Sequence, residues 1–135
     1  MVFVDTGYLI ALADASDQHH ADAATHWRSL GPRPDLLTSS YVLDEVATFF
    51  NARGFHAKAV DVVDRIATSP TATVVHPDRD LFNEAWTYFK SRPDKRYSLT
   101  DCLSFVLMRQ RGVNRAFAFD GHFEQAGFVR VPKTR

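Results

Sequence analysis

The sequence predicts an α/β fold in which a parallel sheet of four or five strands lies between two layers of helices. Short apolar segments typical of buried strands alternate with longer segments of helical periodicity. Parallel strands require such crossover helices, which cover both faces of the sheet. The 135 residues fit one domain over 1–135. We therefore expect a three-layer α/β/α sandwich.

The first third of the chain contains two strands and two helices. Val2–Val4 is a short apolar run that ends at Asp5, and the apolar segment 8–13 after it predicts a strand turning into a helix. A second helical pattern begins at Asp17 and stops at 30–32, which reads Leu-Gly-Pro. Residues 36–38 form the second strand candidate.

The middle of the chain continues this alternation. Ser39 or Ser40 is expected to cap a helix that ends near Gly54, and another helix is expected over 56–67. Residues 71–76 are β-branched and bounded by prolines, which predicts the third strand.

The last part supplies two more helices and two strands. Asp78 begins a helical pattern that extends through Phe89. A further helix is expected over 98–111, where Gly112 ends it. Residues 116–119 form the fourth strand candidate and 128–131 a short fifth.

Four carboxylates stand in or beside strongly apolar segments, where an ionised group is costly unless a cation or hydrogen-bond donors compensate it. They are Asp5, Glu45, Asp101 and Asp120. Two follow predicted strands and two lie near the starts of predicted helices. Ligands of open α/β sheets bind outside the carboxyl ends of the strands. Convergence there would create an oxygen-rich site for Mg²⁺ or Mn²⁺.

Three of these acids also have local interpretations. Asp5 is a possible N-cap of the helix that follows it. Asp120 precedes Gly121, and both residues favour turns. Asp101 lies three residues after Ser98, which is the spacing of a capping box, although a cap and a metal ligand are compatible roles.

Glu45 and its neighbour Asp44 lie on different faces of the predicted helix. Val42 and Phe49, three and four residues from Glu45, place its side chain at the edge of the apolar stripe. The corresponding neighbours of Asp44 include Ser40 and Thr48, which are compatible with solvent. We therefore assign Glu45 to the acidic cluster and Asp44 to the surface.

Other chemistries have less support. The chain contains no glycine-rich nucleotide motif, no G-x-S-x-G and no H-E-x-x-H. Its single cysteine makes a Cys/His zinc site unfavourable and fits a reducing cytoplasm. We interpret most of the six histidines as surface or packing residues. No secretory signal or membrane-spanning segment is visible.

The charge is distributed unevenly. From residue 86 onward there are ten Lys and Arg against four Asp and Glu, a net of +6 in a chain that is neutral overall. Arg92, Lys95 and Arg96 concentrate part of this charge in a loop before Asp101. The loop is a candidate for binding a phosphate backbone, and a solvated basic surface is the alternative.

Four segments resemble PIN domains, most closely the small VapC-type toxins of prokaryotic toxin–antitoxin pairs. They read VDTGYLI at 4–10, TSSYVLDEV at 38–46, SLTDCLSF at 98–105 and AFAFDGHF at 116–123. The resemblance covers nearly the whole chain in the family's order, and the last two segments are its most specific part.

The resemblance implies a PIN-like sandwich and a metal-dependent endoribonuclease. The family's acidic quartet falls on Asp5, Glu45, Asp101 and Asp120, and its hydroxyl position falls on Thr6. Gly7 departs from the serine found in many members. Implied partners are RNA, a second copy of the chain in a homodimer, and a cognate VapB-like antitoxin whose tail covers the acidic pocket.

Other functions remain open at this point. A haloacid dehalogenase-type phosphatase would need a second Asp where Gly7 stands, and a receiver domain would need a late Lys in a position that Lys133 fits poorly. A PIN nuclease of RNA processing and a non-catalytic PIN-like binding module are further alternatives. The presence of all four acids argues against the last of these.

Overall fold

The computed structural model describes residues 1–133, which form a central sheet with helices on its faces. The strands are β1 (Val2–Val4), β2 (Leu36–Ser39), β3 (Ala72–Val75), β4 (Arg115–Phe117) and β5 (Val129–Val131). The helices are α1 (Thr6–Ala13), α2 (His20–Ser29), α3 (Ser40–Ala52), α4 (His56–Ala67), α5 (Arg79–Lys90), α6 (Leu99–Arg111) and α7 (His122–Gln125).

All strands pair in parallel, in the order β3-β2-β1-β4-β5. The chain moves from β1 through β2 to β3, and then returns to the other side of β1 to form β4 and β5. The reversal places a topological switch point between β1 and β4, at whose carboxyl edge α/β proteins bind ligands.

The helices form two packing groups. In the first group, α1 contacts α2 and α3, and α3 contacts α4. In the second group, α6 contacts α5 and α7. Right-handed crossovers place these groups on opposite faces of the sheet because the chain reverses direction after β3. The predicted α/β/α sandwich is therefore confirmed, with five strands.

Local capping explains where the main helices begin and end. The hydroxyl of Ser39 accepts a hydrogen bond from the backbone of Val42, and Asp78 caps α5 in the same way through Leu81. Gly112 ends α6 in the left-handed conformation, with φ of 65°.

The structure differs from the prediction at two main boundaries and in one additional helix. Helix α2 begins at His20 because the segment from Asp17 forms a turn, in which the Asp17 carbonyl accepts from the backbone of His20. Strand β4 ends at Phe117, so Asp120 lies three residues beyond it. Helix α7 was not predicted, because four residues are too few to show helical periodicity.

Aromatic packing joins α6 to the loop before it and to α7. The Phe105 ring lies 5.1 Å from Tyr97 and 5.1 Å from Phe123, measured between centroids. All three residues are buried. The core therefore supports the start of α6 and the segment after β4, the two regions that carry Asp101 and Asp120. No helix in residues 1–133 is long and apolar enough to cross a membrane.

Candidate active site

Asp5 lies at the centre of the site, directly after β1 at the switch point. Its backbone N–H donates to the carbonyl of Phe117, which ends the neighbouring strand β4, at 3.0 Å. Its side chain makes no capping hydrogen bond to α1, although the residue occupies the N-cap position. The carboxylate is therefore buried without serving as the helix cap that its position suggested.

The surroundings of Asp5 are unfavourable for a negative charge. The residue is only 6% exposed. Burial first, and then repulsion from Asp101, Glu45 and Asp120, raise the pKa of Asp5 from 3.8 to about 8, while the backbone N–H of Thr6 partly offsets this. The fold thus brings the other three sequence-predicted acids within electrostatic reach of Asp5.

Asp101 enters the site from the first turn of α6. Its backbone N–H donates to the Ser98 hydroxyl, and its Oδ2 accepts from the Ser98 backbone N–H, both at 3.0 Å. This is the capping box that the spacing suggested. Asp101 is nevertheless 8% exposed and acts on Asp5, so the cap also fixes this carboxylate at the cluster.

Glu45 reaches the site from α3 and is held by Thr6. The Thr6 hydroxyl donates to Glu45 Oε1 at 2.6 Å, across 39 residues of sequence. Glu45 is half-buried, whereas Asp44 is exposed, as helical facing predicted. Thr6 therefore orients a carboxylate, which gives its hydroxyl a physical role beside Asp5.

Asp120 lies on the loop after β4, with its side chain 43% exposed. Its Oδ1 accepts the backbone N–H of His122 at 2.9 Å, as in an Asp-Gly turn. The turn interpretation is therefore correct for this oxygen. It does not remove Asp120 from the cluster, because its charge acts on Asp5.

His122 is the site residue that the sequence analysis missed. Its Nδ1 lies 3.0 Å from Asp101 Oδ2 and 3.2 Å from Asp120 Oδ2. The sequence alone assigns most histidines to the surface or to packing. The sequence feature that indicates a role for His122 is its position two residues after Asp120, where the chain turns back towards the site.

The basic residues of the loop before Asp101 are mainly solvent-facing. Lys95 and Arg96 are exposed, and Lys95 lies 4.0 Å from the adjacent Asp94. Arg92 is half-buried, with its guanidinium 4.3 Å above the Tyr88 ring. Because this loop leads directly to Ser98 and Asp101, its cations are joined to the acidic cluster by a short segment.

The donor set fits a divalent cation. One carboxylate oxygen of Asp101, one of Asp120 and a ring nitrogen of His122 lie within 4.8 Å of one another. Carboxylate oxygens suit Mg²⁺ and Mn²⁺. Burial first, and then repulsion between carboxylates, raise the pKa of Asp5, and a bound cation would offset this cost of holding the charge.

Comparison with known proteins agrees with this geometry. The PIN domain family model matches residues 2–129. The chain is 40% identical over 131 residues to the 23S rRNA-specific endonuclease VapC20 of Mycobacterium tuberculosis, covering 97% of this chain and 98% of that protein.

Solved structures give the same relationship. The crystal structure of M. tuberculosis VapC20, described as a sarcin–ricin loop cleaving toxin, has a TM-score of 0.87 at 38% identity, over 96% of this chain and 97% of the other. FitAcB from Neisseria gonorrhoeae has a TM-score of 0.66 at 15% identity, over 96% of each chain, which shows the fold alone. The chain belongs to the PIN-domain family and, within it, to the VapC type.

Proposed function

We propose that this chain is a metal-dependent endoribonuclease, the toxin of a toxin–antitoxin pair, and that it cuts 23S rRNA in the sarcin–ricin loop. The observation that carries the proposal is the convergence of three carboxylates on the buried Asp5 at the switch point of the sheet. Such a cluster suits a hard cation, and phosphodiester hydrolysis is chemistry that such a cation promotes.

In this proposal the four acids share one task. Asp5 and Asp101 hold the cation, and Asp120 and Glu45 complete its surroundings directly or through water. Thr6 keeps Glu45 oriented through its 2.6 Å hydrogen bond. When bound, Mg²⁺ or Mn²⁺ supplies Lewis-acid stabilisation of the phosphate and lowers the pKa of water. Asp5 must lose its proton to take part, so its raised pKa couples cation binding to proton release.

The substrate is inferred from the relative. VapC20 is named as a 23S rRNA-specific endonuclease and is similar to this chain along almost all of its length. We assign the grip on the RNA backbone to Arg92, Lys95 and Arg96, because cations attract phosphates and this loop leads into the Asp101 end of the site.

The partners follow from the toxin assignment. A nuclease that cuts ribosomal RNA must be restrained in the cell that makes it, so we propose a VapB-like antitoxin that covers the acidic pocket with a basic side chain. A homodimer and a cytoplasmic location complete the proposal, since the ribosomes that carry the substrate are in the cytoplasm.

Cleavage of purified 23S rRNA by matched carboxamide variants tests this function. Asp5→Asn and Asp101→Asn should abolish cleavage and leave the circular dichroism spectrum unchanged. Asp44→Asn is the control, because Asp44 is an exposed acid next to Glu45, and it should cut like the wild type. Retained cleavage in both site variants would contradict the assignment.

A further inference from the structure

We propose that His122 is a positioning residue that clamps Asp101 to Asp120 and thereby sets the affinity of the site for a divalent cation. The inference rests on the proposed metal centre and deepens it. It does not depend on which RNA is cut. His122 acts in this proposal through the two carboxylates, as a hydrogen-bond donor.

The carboxylates beside His122 indicate which of its ring nitrogens carries the proton. Nδ1 lies 3.0 Å from Asp101 Oδ2 and 3.2 Å from Asp120 Oδ2. We assign the proton to Nδ1, because a carboxylate oxygen accepts hydrogen bonds and the nitrogen that faces it is then the donor. The imidazole therefore donates to a carboxylate of α6, and it also lies within ion-pair distance of a carboxylate of the loop after β4.

His122 binds both oxygens of Asp120. Its backbone N–H donates to Oδ1 at 2.9 Å, and Nδ1 faces Oδ2 at 3.2 Å. The Asp120 side chain is 43% exposed. An exposed carboxylate on a loop would otherwise sample several rotamers, and ordering it would cost free energy each time a cation bound.

The clamp leaves part of Asp101 available. Its Oδ2 accepts from the Ser98 backbone and from His122. Within residues 1–133, Oδ1 of Asp101 accepts no hydrogen bond. One oxygen therefore fixes the carboxylate while the other is available to a cation, as expected when hydrogen-bond partners orient a metal ligand.

The core holds the imidazole in place. The Tyr97 ring contacts it edge-on, with centroids 5.3 Å apart. Tyr97 is itself buried and packs on Phe105 of α6. The ring of His122 is therefore positioned both by packing and by its contacts with the two carboxylates.

Mn²⁺ binding to metal-depleted protein without RNA tests the clamp, by calorimetry or by electron paramagnetic resonance. His122→Ala should weaken Mn²⁺ binding by about 10- to 100-fold, the usual effect of losing a group that orients a metal ligand. His122→Asn should retain most of the affinity, because its amide places an N–H close to the position of Nδ1. His19→Ala is the control: the His19 ring stacks on Phe119, 4.4 Å away. Within residues 1–133 this ring has no hydrogen bond to a carboxylate, and only the His19 backbone N–H donates to one, that of Asp17.

A wild-type affinity in His122→Ala would overturn the proposal, as would an equal loss in the Ala and Asn variants. The ¹⁵N spectrum of wild-type imidazoles gives a measurement that needs no variant: it should show the Nδ1–H tautomer for His122, and the Nε2–H tautomer would also overturn it. If the wild-type protein bound no Mn²⁺, the proposed metal centre would be overturned together with the proposed clamp.

Discussion

The protonation of Asp5 depends on all the other acids of the site. A carboxylate that is 6% exposed and surrounded by three others is unstable as an anion, so the metal-free fold favours its protonated form. A cation reverses this preference because it attracts the same charges that repel one another. The cluster therefore destabilises the free protein and makes the same position a good binding site.

This arrangement predicts how stability depends on pH. The pKa of Asp5 is about 8 in the fold and near 3.8 when exposed. Between these values the unfolded chain releases a proton that the folded chain keeps, so the free energy of unfolding falls as pH rises from about 4 to about 8. Asp5→Asn should lose less stability over this range. Urea midpoints at pH 5 and pH 8, measured with a chelator, test this, and equal losses in both proteins would contradict it.

Individual site residues were predictable where a helical pattern determined the direction of the side chain. The spacing of Val42 and Phe49 placed Glu45 towards the core side and Asp44 towards solvent. His122 was not predictable in this way, because its contact with Asp101 spans 21 residues and depends on the path of the loop after β4. Such contacts arise from tertiary structure and leave no local signal.

At the scale of elements, α6 is important because both of its ends are defined by specific residues. The capping box at Ser98 fixes its start and orients Asp101, while Gly112 closes its end with φ of 65°. Helices whose caps are legible in the sequence were predicted well. The predicted fourth strand, 116–119, extends beyond the end of β4. The reason is that Ala118 and Phe119 continue the apolar run past Phe117, the last paired residue.

Two glycines with different backbone conformations should respond in opposite ways to alanine. Gly112→Ala should lower the free energy of unfolding by about 1 kcal/mol, because a Cβ is strained at positive φ. Gly7→Ala should raise it by up to about 0.5 kcal/mol, because Gly7 is in α1 with open space where the Cβ would lie. Chemical denaturation measures both, and a loss in Gly7→Ala as large as that in Gly112→Ala would contradict the account.

At the scale of the whole molecule, the sheet order creates the site. Alternating strands and helices predicted a parallel sheet, but the sequence alone contained no information on which strands are neighbours. The order β3-β2-β1-β4-β5 brings the residue after β1 next to the end of β4. The convergence of the four acids was therefore only an expectation from the sequence, because it depends on which strands pair in the sheet.

The charge asymmetry of the molecule predicts where RNA binds. In an Asp5→Asn background, which avoids cleavage, Lys95→Ala with Arg96→Ala should weaken RNA binding and reduce the salt slope by about 1 to 2, because fewer counterions are released. Arg111→Ala with Arg115→Ala is the matched control, since both exposed cations lie at the other end of α6 and at the start of β4. An unchanged slope in the first pair, or an equal change in the control, would place the contact elsewhere.

Cation-dependent cleavage of a sarcin–ricin loop RNA is the most direct test of the central claim, that the acids around Asp5 form one metal-dependent ribonuclease centre. Metal-depleted protein should leave the RNA intact, and added Mg²⁺ or Mn²⁺ should restore a single cut in wild-type protein but not in Asp5→Asn. Cleavage that persists in the presence of a chelator, or that returns with the metal in Asp5→Asn, would contradict this account.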